Sequence, residues 1–70
     1  MALAKVRDIL KMLRRDGWHL ERQVGSHRHF RHPEKKGTVT VNGHDSDTLP
    51  HWLVGSILNQ AGLKREDLKR

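Results

Sequence analysis

Three histidines, two arginines and a phenylalanine lie within the ten residues Val24 to Pro33, in the run VGSHRHFRHP. Histidines this closely spaced suit one of three roles: metal ligands, proton-transfer groups, or polar decoration of a hairpin. A metal site could use His27 and His29, two apart on one side of a strand, with His32 or His44 as a third ligand, since zinc accepts three imidazoles and a water. The chain has no cysteine, however, and no Asp or Glu stands within the cluster to orient an imidazole as the outer shell of a metal site normally does. No metal and no cofactor are expected.

Acid-base chemistry asks for less. RNA carries its own nucleophile, the 2′-hydroxyl, so cleavage needs a base for that proton, an acid for the leaving 5′-oxygen, and cations around the phosphate. An imidazole can fill either proton-transfer role, because it exchanges its proton near neutral pH. Arg28, Arg31, Lys35 and Lys36 are neighbours in the chain, and such cations can hold a phosphate and its developing charge. Taken one at a time, His19, His32 and His51 read as polar surface. His27 differs, since it directly follows Gly25-Ser26, at a turn edge where a backbone can approach a ligand closely. Arg14, Arg15, Lys64 and Arg65 read as solvated helix ends. Trp18 and Trp52 read as core rather than as base-stacking platforms, with Trp52, at a loop-to-helix junction, left open to the stacking role.

The elements that must position these residues follow from periodicity. Leu3, Val6, Ile9, Leu10 and Leu13 recur at spacings of three and four, with Lys5, Arg7, Asp8, Lys11 and Arg14 between them, the pattern of an amphipathic helix. Gly17, behind Arg14, Arg15 and Asp16, ends it. From Trp18 the period becomes two: Trp18, Leu20, Arg22 and Val24 alternate with His19, Glu21 and Gln23, which predicts a half-buried strand. Gly25-Ser26 turns the chain into His27 to His32, with Arg28, Phe30 and His32 on one face and His27, His29 and Arg31 on the other. Pro33 to Gly37 reads as a hairpin loop, and the β-branched run Thr38 to Val41 as a third strand. Asn42 to Thr48 is a loop. Asp47 or Thr48 is the expected cap of a last helix with Pro50 in its first turn, whose apolar face is Leu49, Leu53, Val54, Ile57, Leu58 and Ala61 and which Gly62 closes. Leu63 to Arg70 can add one more helical turn, with Leu68 tucked back. Two helices on one face of a three-stranded antiparallel sheet make an α+β sandwich, leaving the other sheet face open to a ligand.

At 70 residues the chain reads as one domain, 1–70, at the lower end of what folds unaided, because it buries only about 60% of its surface. Its formal charge is +6, from 14 Lys and Arg against 8 acidic residues, with 6 histidines besides. Such a balance favours polyanionic partners, nucleic acid foremost, through long-range attraction and counterion release. No stretch approaches the roughly 20 apolar residues of a membrane span and no signal-peptide run opens the chain. With no cysteine for a disulfide, a soluble cytoplasmic protein is expected.

G-W at 17–18, R at 22, G-S-H at 25–27, F-R-H-P at 30–33, T-V-x-V-x-x-H at 38–44 and S-I-L-x-Q-A-G-L at 56–63 together resemble the HicA toxins of bacterial and archaeal toxin–antitoxin systems, over nearly the whole chain. The resemblance implies a double-stranded-RNA-binding-domain-like α-β-β-β-α fold and a ribosome-independent mRNA interferase, an endoribonuclease whose catalytic residue is the G-S-H histidine, His27 here. It also implies a HicB-like antitoxin that covers the active site and whose C-terminal part often binds operator DNA, so that DNA is met only indirectly. Two positions depart from the family pattern: Asn42 stands where a proline usually precedes the loop histidine, here His44, and His51-Trp52-Leu53 stands where many members have Pro-Gly-Thr.

The resulting expectation is metal-independent RNA cleavage. His27 acts as base or acid; Gly25, Ser26, Arg22, Arg28, Lys35 and Lys36 contact the phosphate; His29 and His44 are candidates for the complementary proton transfer. The alternatives are a non-catalytic RNA-binding module that reads duplex shape, and a domain that binds only protein. RNA cleavage separates the first reading from the other two.

Overall fold

The computed structural model describes residues 4–69, so Leu3 and Arg70 of the expected elements lie outside the described residues. The chain runs β1 (Ala4–Lys5), α1 (Val6–Asp16), β2 (His19–Val24), β3 (His27–Arg31), β4 (Val39–Val41), β5 (Thr48–Leu49), α2 (His51–Ala61) and a final 3₁₀ turn (Arg65–Lys69). The fold is α+β, with β2, β3 and β4 forming an antiparallel sheet in that order between the two helices in sequence. The α-β-β-β-α order read from the periodicities holds. One small addition is a two-stranded ladder in which Ala4 pairs with Leu49 and Lys5 with Thr48.

The helices end as their glycines foretell. Gly17 takes φ 100° and Gly62 φ 68°, left-handed conformations that cost glycine nothing. Behind each, an amide reaches back five residues, Trp18 N–H to the Leu13 carbonyl and Leu63 N–H to the Leu58 carbonyl, both at 2.9 Å, the bond that satisfies an orphan carbonyl in a Schellman ending. The starts differ from expectation. Neither Asp47 nor Thr48 caps α2: Pro50 occupies the N-cap, its carbonyl accepting from Leu53 and Val54 N–H, and Thr48–Leu49 is drawn into the ladder with β1. The Asn42–Asp47 loop instead serves the other helix. The carbonyls of Asp47 and Asp45 accept from Val6 and Arg7 N–H at 2.9 and 3.1 Å, satisfying two of the donors a helix start leaves unpaired.

The core joins Val6, Ile9, Leu10, Met12 and Leu13 of α1, Val54, Ile57, Leu58 and Ala61 of α2, and Trp18, Phe30, Val39, Val41 and Leu49. The periodicity reading missed Met12, although it lies on the same stripe. The buried sheet residues Phe30, Val39 and Val41 share one face, because Phe30 pairs with Val39 and Arg28 with Val41; both helices cover that face.

β2 corrects the expectation of a half-buried strand, since all six of its residues are exposed. Two causes combine. It is an edge strand none of whose residues joins the core that the helices share with β3 and β4, so Leu20 stays half exposed although it pairs with Phe30. The register also slips between Leu20 and Arg22. A bulge there turns every later side chain to the opposite face, and Arg22 and Val24 consequently join His29 and His27 on the open side. Bulges and charges of this kind also protect an edge from pairing with another chain.

Candidate functional site

The Gly25-Ser26 pair forms a two-residue hairpin between the paired residues Val24 and His27. Gly25 has φ 58° and, among the described residues, no non-glycine residue has positive φ, the requirement of a type II′ turn with glycine first. This local chemistry sets His27 at the first position of β3, exposed at the hairpin end of the sheet's central strand. Among the described residues, no hydrogen bond engages its side chain.

Cross-strand pairing then assembles the open face. His27 stands opposite Val24; His29 stands opposite Arg22 on one side and Thr40 on the other; Arg31 stands opposite His19. The His29 ring is half-buried, its Nδ1 3.1 Å from the Thr40 hydroxyl. Arg31 lies 3.5 Å from Glu21 and 3.4 Å from the Thr38 hydroxyl. Arg22 is exposed and, among the described residues, has neither a hydrogen bond nor an ion pair.

Arg28 faces the other way. Its guanidinium donates to the Gly43 carbonyl at 3.1 Å and to Asp45 at 3.0 Å, and its side chain is only 18% exposed. It ties β3 to the loop that carries His44 and caps α1. That loop leaves β4 after Val41, the partner of Arg28, and so emerges at the same end of the sheet as His27. The His44 amide is fixed by the Asp47 carboxylate at 2.9 Å, and its imidazole is exposed.

Lys35 and Lys36 separate equally clearly. The Lys35 ammonium donates to the Asp16 carboxylate and, at 2.9 Å, to the Ala61 carbonyl, joining the C-terminal ends of both helices. Lys36 is exposed in the loop after β3, with no partner among the described residues. His32, expected as surface, is built into the structure. Its Nδ1 accepts from Glu34 and Lys35 N–H at 3.0 and 3.1 Å, which leaves Nε2 as the protonated nitrogen donating to the Asp16 carbonyl at 2.6 Å. The ring meets Trp18 edge-on, with centroids 5.2 Å apart. Trp18 is buried as expected and donates from Nε1 to Asp16. Trp52 is not core; it is 74% exposed in the first turn of α2.

The geometry therefore brings together His27, His29 and Arg22, with Gly25 and Ser26 forming the turn beside them and His44 on the adjoining loop. It assigns Arg28 and Lys35 to structural ties. Thr40 and Asp45 went unnoticed in the sequence; for Thr40 the signal was its place in T-V-T-V, which puts it on the face opposite Val39 and Val41. Among the described residues, no group of three His, Asp, Glu or Cys side chains is placed to hold a metal ion, and no helix is long and apolar enough to cross a membrane.

The described residues thus form a basic α+β domain whose sheet carries its histidines on the face opposite the buried Phe30, Val39 and Val41. The family model described as the HicA toxin of bacterial toxin–antitoxin systems matches residues 6–63, from the first residue of α1 to the residue after Gly62. The chain belongs to this family, whose members act as the toxin of a toxin–antitoxin system and so have an antitoxin partner. No curated protein matches the chain.

Proposed function

We propose that this toxin acts as a metal-independent endoribonuclease on mRNA, with His27 exchanging a proton with the reacting ribose phosphate. The observation that carries the reading is the environment of His27: an exposed imidazole beside a two-residue hairpin, on a face that also holds His29 and Arg22, with neither His27 nor Arg22 bonded through its side chain among the described residues. Such a face can bind a phosphate, stabilise its charge and move a proton. The amides of the Gly25-Ser26 turn lie beside it, where a backbone can approach a ligand. Lys36, exposed in the loop after β3, stands at the far end of that strand from His27 and would meet a more distant phosphate of the same RNA strand. Arg28 contributes from behind, by fixing the strand to the loop of His44.

The chemistry uses the 2′-hydroxyl as nucleophile, so it yields a 2′,3′-cyclic phosphate, or its 3′-phosphate product, and a 5′-hydroxyl. The test is incubation of the purified protein with single-stranded RNA and with DNA of the same sequence, in EDTA, followed by end-group analysis. RNA cut to these ends with DNA intact supports the reading. RNA bound and left intact would make the chain a non-catalytic RNA-binding module; cleavage that needs added zinc or magnesium would replace the mechanism.

A further inference from the structure

We propose that His29 is the second proton-transfer residue of this site and that Thr40 orients it. The inference rests on the endoribonuclease reading and adds to it the residue that completes the reaction. In-line displacement at phosphorus puts the attacking 2′-oxygen and the leaving 5′-oxygen on opposite sides, so base and acid must flank the phosphate. His27 and His29 occupy successive same-face positions of β3, which lie roughly 6.6 Å apart at two strand residues of about 3.3 Å each. A phosphate lying over the strand between them meets one imidazole on each side. Arg22, directly opposite His29 on β2, supplies a cation at the same level.

The two rings are held differently. His27 is exposed and unanchored, whereas His29 is half-buried and anchored at Nδ1 by the Thr40 hydroxyl, 3.1 Å away across the β3–β4 pair. Anchoring one nitrogen fixes the direction of the other, as an orienting group does for a catalytic base. In the tautomer this proposal requires, Nδ1 carries the proton and donates to the hydroxyl oxygen whether the ring is imidazole or imidazolium, so His29 keeps its aim while Nε2 gains or loses a proton. The charged and titratable groups on this face around the ring are Arg22 from β2, Glu21 at the β2 bulge, which pairs with Arg31 at 3.5 Å, and His27 and Arg31 from its own strand; β4 offers the neutral Thr40. His44, on the adjoining loop, has no such anchor among the described residues.

The step balances. One imidazole takes the 2′-hydroxyl proton as the 2′-oxygen bonds to phosphorus; the bond from phosphorus to the 5′-oxygen breaks, and the departing oxygen takes a proton from the other ring, an imidazolium. Whichever transfer His27 performs, His29 performs the other, and no net proton is consumed.

Cleavage of a short RNA in EDTA, measured across pH for the wild type and for His29→Ala, Thr40→Val and Thr40→Ser, tests this. The wild type should give a bell-shaped kcat/KM profile. His29→Ala should lower kcat by roughly 10²-fold or more with little change in KM, and should remove one limb of the bell. Thr40→Val should lower kcat about tenfold at unchanged Tm, and Thr40→Ser should restore it. Should His29→Ala fail to fold, His29→Gln, which can still bond Thr40 but cannot transfer a proton, makes the same comparison. An active wild type with His29→Ala within about threefold and both limbs intact would overturn this inference alone. A kcat loss in Thr40→Val that Ser does not restore would overturn the role of Thr40. An inactive wild type would overturn this inference together with the reading beneath it.

Discussion

Arg28 follows His27 in the chain and faces the opposite side of the sheet, where its guanidinium binds Asp45 at 3.0 Å and the Gly43 carbonyl at 3.1 Å. A cation beside the candidate catalytic histidine is thus used to hold the fold. Arg28→Ala should reduce stability by about 1–2 kcal/mol, at the lower end for hydrogen bonds to a charged group because Asp45 is largely exposed. RNA affinity should barely change. Urea denaturation and RNA titration check the two halves; a fall in affinity with stability intact would return Arg28 to the binding surface.

The same contrast separates two adjacent lysines. Lys36 is exposed and without a partner among the described residues, whereas Lys35 binds Asp16 and Ala61. Removing Arg22 and Lys36 together should weaken RNA binding and reduce its salt slope by roughly 0.7 for each phosphate of a single strand that is no longer neutralised. Lys35→Met should leave the slope unaltered and lower Tm. An unchanged slope in the Arg22/Lys36 double variant would remove both from the RNA surface.

His32 presents both ring nitrogens to the backbone: Nδ1 to Glu34 and Lys35, Nε2 to Asp16. His32→Ala strands these groups partly buried and should cost about 2–3 kcal/mol. Activity per folded molecule should persist. A variant that stays as stable as the wild type in a thermal melt would show that these hydrogen bonds carry little energy.

Much of this fold was legible before the structure, and the exceptions have physical causes. The period-3.6 stripe of Val6, Ile9, Leu10 and Leu13 and the glycines at 17 and 62 located α1 and the ends of both helices, because apolar spacing and left-handed backbone are written in residue type. The face of Arg22 was not legible, since a bulge at Glu21 is a property of the strand pair rather than of the strand. Nor was the service Asp45 and Asp47 give to α1. A capping residue is expected next to its own helix in sequence, and these two stand far along the chain from theirs. His27 could be singled out because its turn is local; the anchoring of His29 by Thr40 needed the β3–β4 register.

The positive open face also bears on the antitoxin partner that the family implies. On the function proposed, a surface that holds phosphates offers the same cations to acidic side chains, and complementary charge speeds association and sets orientation. RNA and the cognate antitoxin should therefore compete, and the antitoxin should raise the Tm of this small domain with its concentration. A ternary complex formed with undiminished affinity for both ligands would rule out occlusion of the face.

The central claim is that His27, on its hairpin edge, performs chemistry on RNA. The most direct measurement compares the cleavage rate of single-stranded RNA in EDTA by wild type and His27→Ala, at equal concentrations of folded protein. His27 is exposed and makes no hydrogen bond through its side chain among the described residues, so the variant should keep the wild-type Tm and RNA affinity while losing at least about 10²-fold in rate. A His27→Ala protein that cleaves RNA as fast as the wild type would contradict the account.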